Sequence, residues 1–449
     1  MKTVVKAKDK VAKSWGTAKP CNTEYRLLKY ILRTDLNEGT LLCNNITGSL
    51  VLLDSAETEM IDSLPSAYSP CMDELISEHF LVPVDYDERQ TVYSLRKLIN
   101  LFSTKNIIYA YTILPTTNCN ARCFYCYQAD FEHLSMSEET ADKLIDFMIK
   151  NCGNEKELQL SWFGGEPTLG INRIDKICNA LQDAGIEYTS KMISNSYLFD
   201  EQTVKKAKHL WNLKHIQITL DGTEEVYNKV KAYVGITGSA YKRVLRNIQL
   251  FLDNEIGVSV RMNLDRHNCD DLEKLIDELA ALFSKNKYFN AYVYGIFEDC
   301  GYAPVKHDAA EKLWLANKTL ELNSKLREND MGISFVKGIP FLRTNCCMAD
   351  NDKTVVISPN GDITKCEHHC IDEAVGNIEK GIYIKDKFAE WKEIREYAEC
   401  PECPLFPNCV NLVKCVSNDG CLPDTRANKI ADYKFGINKI YEEFKNKNM

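Results

Sequence analysis

The sequence predicts an α/β protein built round a partial barrel, with a small α+β domain before it and a Cys-rich segment after it. Three observations carry this. From Tyr109 to about Phe297, six strand-like runs (YTILPT, LQLSWF, YTSKMIS, HIQITLD, VSVRMNL and AYVYGIF) alternate with helix-length segments such as SEETADKLIDFMIKN and DLEKLIDELAALFS. Parallel neighbours need crossover connections, so this alternation calls for a parallel sheet or barrel. Eight units would close a full barrel; six are present, which gives a partial (β/α)6, TIM-like barrel. Upstream, short apolar runs are punctuated by turn residues; downstream, nine of the 19 cysteines crowd between 346 and 421.

Taken in order, residues 1–23 read as a basic flexible tail. Lys2, Lys6, Lys8, Lys10 and Lys13 stand there without the apolar stretch of ~7–15 residues that a signal peptide needs. In residues 24–95, EYRLLKYIL, GTLLCN and GSLVLLD are separated by Asn37-Glu38-Gly39 and by Asn44-Asn45 with Gly48, which is hairpin grammar. Helical stretches at about 55–63 and 70–78 and the run FLVPV complete a small sheet-and-helix domain. A helix over about 87–104 leads through a linker at 96–108 into the barrel, residues 109–300. A bridging helical segment (301–339) follows, then the Cys-rich zone (340–425), which has too little apolar material for a core and is expected to depend on metal to fold. The last segment, 426–449, is a helix with Ile430, Tyr433, Ile437, Ile440, Tyr441 and Phe444 on one core-packing stripe.

A chain of 449 residues suggests about three domains. Its 45% hydrophobic and 27% charged residues are a globular balance. No window approaches the ~18 uninterrupted apolar residues of a membrane span, and a net charge of −9 argues against nucleic acid as a partner. A cytoplasmic location is expected, and there cysteines in such numbers point to metal or redox chemistry rather than disulfides. The scattered Cys21, Cys43, Cys71, Cys152, Cys178, Cys269 and Cys300 read as small buried hydrophobes.

The central constellation is Cys119-Asn-Ala-Arg-Cys123-Phe-Tyr-Cys126, directly after the first barrel strand, where active sites of barrel folds gather. Three thiolates on one short loop can hold three irons of a [4Fe–4S] cube and leave the fourth open. Structural zinc would want a fourth ligand, and the nearest His is His133. This motif resembles the signature of the radical S-adenosylmethionine (SAM) enzymes. The resemblance implies a cluster on Cys119, Cys123 and Cys126 that cleaves SAM to methionine and a hydrogen-abstracting 5′-deoxyadenosyl radical. Gly164-Gly165-Glu166-Pro167 is similar to the family's GGEP element, with Glu166 accepting from the methionine ammonium. Ser194-Asn195 resembles the family's Ser/Thr-Asn-Gly element, although Ser196 replaces the glycine. Arg261 sits where relatives place an arginine for the SAM carboxylate, and Tyr125 is implied beside adenine. Asp221-Gly222 resembles a recurrent LDG element and is expected to be structural.

The C-terminal cysteines resemble a SPASM auxiliary-cluster domain, which implies two further [4Fe–4S] clusters and three in all. Cys347 precedes Gly361 by 14 positions, Cys366 closes that element, and Cys400, Cys403 and Cys409 follow the pattern. Cys415 and Cys421 depart from its spacing. One cluster is assigned Cys347, Cys366 and Cys415, with Cys346 or Cys370 as a fourth ligand or an open site. The other is assigned Cys400, Cys403, Cys409 and Cys421. Glu367 occupies the place of an acidic base in sulfatase-maturing relatives, and His368 and His369 adjoin it. Residues 24–95 look like the winged-helix-like domain that holds a leader peptide at an open sheet edge, here that of GSLVLLD. The resemblance thus implies a radical SAM peptide maturase. It would form a thioether or related crosslink in a ribosomally made precursor, its core in the barrel, with electrons from a donor such as flavodoxin or ferredoxin. A formylglycine-forming sulfatase maturase is the second reading, and a non-catalytic zinc-stabilised peptide-binding module the third.

Overall fold

Alternating apolar runs at the start of the chain pair into antiparallel sheets, and the βα repeats that follow pair in parallel. The computed structural model describes residues 1–101, 107–236, 238–296, 308–332, 339–415, 421 and 423–448. The N-terminal domain comprises β1 (Lys2–Val5), α1 (Asp9–Trp15), β2 (Glu24–Leu27), β3 (Ile31–Leu36), β4 (Gly39–Asn44), β5 (Ser49–Leu53), α2 (Ser55–Asp62), β6 (Ser66–Ala67), α3 (Asp73–Ser77), β7 (Leu81–Pro83) and α4 (Glu88–Leu101). Its main sheet has the order β1-β5-β4-β3, and a smaller one the order β6-β2-β7. Both hairpins form at the turn residues named above. Asn44 closes the second by accepting from the Ile46 and Thr47 amides at 2.9 and 3.2 Å. A capping box between Asp54 and Glu57 starts α2.

Two expectations are corrected here. The basic start is not a tail: β1 pairs antiparallel with β5, and Val11 of α1 is buried in the domain core. The edge of GSLVLLD, expected to be open, is therefore covered by the chain's own residues 2–5. Nor is 96–108 a linker throughout. Residues 96–101 continue α4, and the buried Arg96 donates to the carbonyls of Arg343, Phe406, Pro407 and Cys409 at 2.8–3.2 Å. An interior guanidinium with four carbonyl acceptors ties this domain to the Cys-rich zone.

His79, which has a left-handed φ of 59°, stacks on Trp15 at 3.9 Å and bonds the Gly16 carbonyl at 2.8 Å. Burial lowers its pKa from the ordinary 6.5. The folded form thus resists a proton that the unfolded chain takes up. The stability His79 contributes is whole above pH 6.5 and is lost as pH falls through the folded value. Thermal melts at pH 7 and pH 5 should show His79→Asn losing part of the wild-type decline.

The barrel follows as β8 (Ala110–Ile113), α5 (Glu138–Cys152), β9 (Glu157–Trp162), α6 (Ile171–Asp183), β10 (Glu187–Ile193), α7 (Glu201–His209), β11 (Leu213–Thr219), α8 (Glu224–Lys231), α9 (Ala240–Asp253), β12 (Gly257–Leu264), α10 (Cys269–Phe283) and β13 (Phe289–Gly295). Its strands lie side by side from β8 to β13 in chain order, all parallel. The expected six-unit barrel is thus formed. Of the bridging segment, α11 (Ala309–Glu328) is described; Cys300, 301–307 and 333–338 lie outside the described residues.

The Cys-rich zone departs from expectation. It contains β14 (Thr354–Ile357), β15 (Asp362–Thr364), β16 (Gly376–Asn377), β17 (Gly381–Ile382) and α12 (Lys385–Glu390). Strand β14 extends the barrel sheet by pairing parallel to β8, and β15, β16 and β17 continue it antiparallel. Val355, Val356, Ile357 and Ile363 are fully buried, so this part has an apolar core after all. Helix α13 (Pro423–Asn448) lays Ile437 and Tyr441 on Leu32, Leu41, Cys43 and Leu50 of the N-terminal sheet. Among the described residues no helix is long and apolar enough to cross a membrane.

Candidate active site

The loop after β8 is closed at its base. Thr117 donates its amide to the Leu134 carbonyl at 2.9 Å, and Met136 donates to Pro115 at 2.9 Å. Cys119, Cys123 and Cys126 lie on this loop, half-buried. Burial pushes all three thiols up, Cys119 to about 12 with the Glu166 charge adding to it. Without metal they are neutral; a bound cation would deprotonate them.

The loop after β9 packs on the first. Gly165 donates to Thr116 at 3.1 Å and Glu166 to Asn118 at 2.8 Å, backbone to backbone. A Cβ on Gly164 would stand 2.1 Å from the Thr116 oxygen, and one on Gly165 would stand 2.3 Å from that of Asn118. These glycines therefore bring two loops together. Pro167 then starts a short 3-10 turn. The fully buried Glu166 carboxylate accepts from Thr168 (amide 3.1 Å, hydroxyl 2.6 Å), the Ser194 hydroxyl (2.8 Å) and the Asn195 amide (2.8 Å). Burial raises its pKa. The GGEP and Ser-Asn elements are thus one hydrogen-bonded unit.

Asn195 Nδ2 donates to Asn120 at 2.6 Å and lies 4.0 Å from Cys119 Sγ. Ser196 takes φ 63°, the left-handed region that favours glycine. This explains the family's usual residue there; the serine amide is held by Ser194 Oγ at 2.9 Å. Its own buried hydroxyl, like Asn120 Nδ2 and Gln128 Oε1, has no hydrogen-bond partner among the described residues. Unmet polar groups beside three thiols and a buried carboxylate fit a polar cofactor such as SAM.

On β12, Arg261 donates to Asn263 at 2.8 Å and lies 4.9 Å from the Tyr294 ring centroid. The turn Glu367–His369 comes down beside the Cys loop: His368 stacks on Tyr127, the residue after Cys126, at 3.8 Å and 19°. Burial, with the His369 and Arg261 charges, lowers His368 to about 4. The Glu367 charge in turn helps to raise the buried Tyr127. Arg261 and Glu367 thus each act on one ring of the same stack, Arg261 on His368 and Glu367 on Tyr127.

Asp221 does more than end a strand. It is buried with Lys231 in an ion pair of 2.8 Å, and Tyr125 donates to it at 2.6 Å. Burial opposes the Lys231 charge most strongly, yet Asp221, Cys123, Tyr125 and Tyr227 together outweigh it and hold the ammonium well above the ordinary lysine pKa. The hydroxyl of Tyr125, expected near adenine, is thereby committed to this pair. Lys231 was missed from the sequence, where nothing sets it apart from the other cationic residues.

The C-terminal cysteines fall into two neighbourhoods. Cys346 and Cys347 hydrogen-bond each other, and Cys415 acts on Cys346 while Cys347 and Cys415 both act on Cys366. Asp350 accepts from the Cys346 and Cys347 amides at 2.7 and 3.2 Å. Cys370 is fully buried among Leu114 and Val356, which sets it apart from that group. Burial raises the thiol pKa values of Cys400, Cys403 and Cys409, and Cys421 adds to the rise at all three. Among the described residues no three such ligands close on a single ion; a lone zinc needs sulfurs within ~4 Å of one another. Iron chelation should raise hydrogen exchange over 400–415, which lacks regular strands, while 354–357 stays protected in the barrel sheet. Equal deprotection of both would contradict this division.

Fold and site together define a class. Residues 113–279 match the family model described as the radical SAM superfamily. The chain carries a radical SAM domain, and as members of that superfamily are enzymes, so is this protein. The non-catalytic zinc module is thereby set aside. The family implies one [4Fe–4S] cluster and SAM.

An uncharacterized protein of Methanocaldococcus jannaschii is 25% identical over 279 residues, 61% of this chain and 90% of that one. The radical SAM cyclopropyl synthase TigE of Paramaledivibacter caminithermalis is 22% identical, covering 57% of this chain and 53% of its own. A GTP 3′,8-cyclase of Clostridium perfringens is 24% identical, covering 63% and 85%. The solved structure of anSMEcpe with bound AdoMet superposes with a TM-score of 0.56 at 15% identity, covering 75% of this chain and 99% of that one. This likeness is one of fold. The same protein has been solved with AdoMet and the Cp18Cys peptide.

Proposed function

We propose that this enzyme matures a ribosomally made, Cys-rich precursor peptide by forming a thioether or related crosslink. Joining C–H to S–H as a thioether removes two hydrogens. The reaction therefore needs an acceptor for a hydrogen atom, a base for the thiol proton and a sink for one electron. SAM on a cluster held by Cys119, Cys123 and Cys126 would supply the first, as the hydrogen-abstracting 5′-deoxyadenosyl radical. Gly164, Gly165, Glu166, Pro167, Ser194, Asn195 and Arg261 would line the SAM site. Glu367 would take the thiol proton. Two auxiliary clusters, on Cys346, Cys347, Cys366 and Cys415 and on Cys400, Cys403, Cys409 and Cys421, would carry the electron away to a small donor–acceptor protein such as flavodoxin or ferredoxin.

The observation that supports this best is the Tyr127–His368 stack at 3.8 Å, which joins the residue after Cys126 to the turn after Cys366. An electron sink is useful only beside the site where the electron is released. The peptide-bound structure of anSMEcpe lends a peptide substrate further support. The N-terminal domain would hold the leader, with β1 yielding its place on β5 or taking the peptide on its outer edge.

Anaerobic co-expression with a short Cys-rich peptide encoded beside this gene tests the reading. The expected product has lost two hydrogens per crosslink and no longer alkylates at the joined Cys. Formylglycine in a co-expressed sulfatase, with the peptide unchanged, would favour the second reading.

A further inference from the structure

We propose that Lys231 is a positioning residue that sets the Cys119–Cys126 loop and the Ser194–Ser196 loop relative to each other. The claim rests on reading the first loop as the radical-cluster loop. Lys231 is 2% exposed and its Nζ has three oxygen partners: Asp221 at 2.8 Å, Thr219 Oγ1 at 2.8 Å and Tyr125 OH at 2.7 Å. Tyr125 lies between Cys123 and Cys126, so the ammonium grips the loop from beneath its last two thiols.

The backbone of the same segment holds the rest. The Arg122 amide donates to the Lys231 carbonyl at 2.8 Å, and the Val234 amide donates to the Asn120 carbonyl at 2.9 Å. Three residues of the Cys loop, Asn120, Arg122 and Tyr125, are thus fastened to residues 231–234. Ala232, with φ 42°, is a non-glycine in the left-handed region. The chain turns there so that the Lys231 carbonyl and ammonium and the Val234 amide all reach the loop. From the same segment Tyr227 and Tyr233 share a hydroxyl bond of 2.9 Å, and Tyr233 OH donates to the Asn195 carbonyl at 3.5 Å.

A buried ion pair is poor value as a pure stabiliser, because desolvation offsets most of its attraction. Its usefulness lies in direction: a charge with three fixed acceptors admits one loop geometry. Thiols and SAM-facing groups would then be held at their spacing before anything binds.

The test uses the full chain, reconstituted anaerobically with iron and sulfide, in Lys231→Met and in the double variant Asp221→Asn/Lys231→Met. The double variant leaves no unpaired carboxylate, so it remains informative if the single one fails to fold. Auxiliary-cluster iron and signals should persist in it. The reduced radical cluster should lose the change in its EPR spectrum that SAM induces, and SAM affinity should fall roughly tenfold or more, the usual cost of removing a group behind a ligand. Wild-type EPR response and SAM affinity in the folded double variant would overturn the proposal. Failure of the cluster assignment itself would show elsewhere, as an unchanged SAM-responsive signal after Cys119, Cys123 and Cys126 are all replaced by Ala.

Discussion

Replacing Cys119, Cys123 and Cys126 together by Ala is expected to abolish release of 5′-deoxyadenosine from SAM under a strong reductant. Iron and sulfide should fall by one [4Fe–4S] equivalent and no more. The three thiols share one loop closed at its base by Thr117, Leu134, Pro115 and Met136, and the eight grouped auxiliary thiols stand on other loops. The variant should therefore fold and keep its auxiliary signals. Each thiol is neutral without metal, because burial raises its pKa, so no buried charge is left unpaired by the change. Continued 5′-deoxyadenosine release from the purified triple variant would refute the assignment.

Gly165→Ala should be nearly as damaging, for a steric reason. The new Cβ would lie 2.3 Å from the Asn118 oxygen, 2.4 Å from that of Thr117 and 2.5 Å from the Asn118 carbonyl carbon. All three are backbone atoms, so no flexible side chain can swing aside. The two loops must part, breaking the Gly165–Thr116 and Glu166–Asn118 bonds and displacing the Glu166 carboxylate from Ser194 and Asn195. A loss of about 2–4 kcal/mol in denaturant unfolding is expected, with SAM binding by calorimetry reduced below detection. Gly185→Ala is the control. Its Cβ would meet nothing within 4 Å, and its φ of 66° makes the cost about 1 kcal/mol. Equal effects of the two substitutions would refute the steric reading, because only Gly185 has a left-handed φ to strain.

How much of this could be read in advance depended on the range of the interaction. The Cys loop, the two glycines and Glu166 were legible because each motif lies within a few residues and follows a strand of recognisable pattern. The proximity of Cys400, Cys403 and Cys409 was legible too, since they are close in sequence. The surroundings of Cys346 and Cys370 were not: Cys370 is buried in the apolar cluster of Leu114 and Val356, whereas Cys346 is exposed.

By itself, then, the sequence determined what local periodicity and spacing can express: six βα units in chain order and a three-Cys loop directly after the first barrel strand. Tertiary structure decided the rest. Residues 2–5 carry too few apolar positions to announce a strand, and only the waiting edge of β5 makes them one. TVVI at 354–357 reads as an ordinary short run until β8 supplies a parallel partner 244 positions upstream of Thr354, at Ala110. Lys231 looks like a surface charge, yet folding buries it with Asp221 against Tyr125. Burial and long-range pairing depend on the surfaces that distant segments bring together, and no window of the chain contains both sides of such a contact.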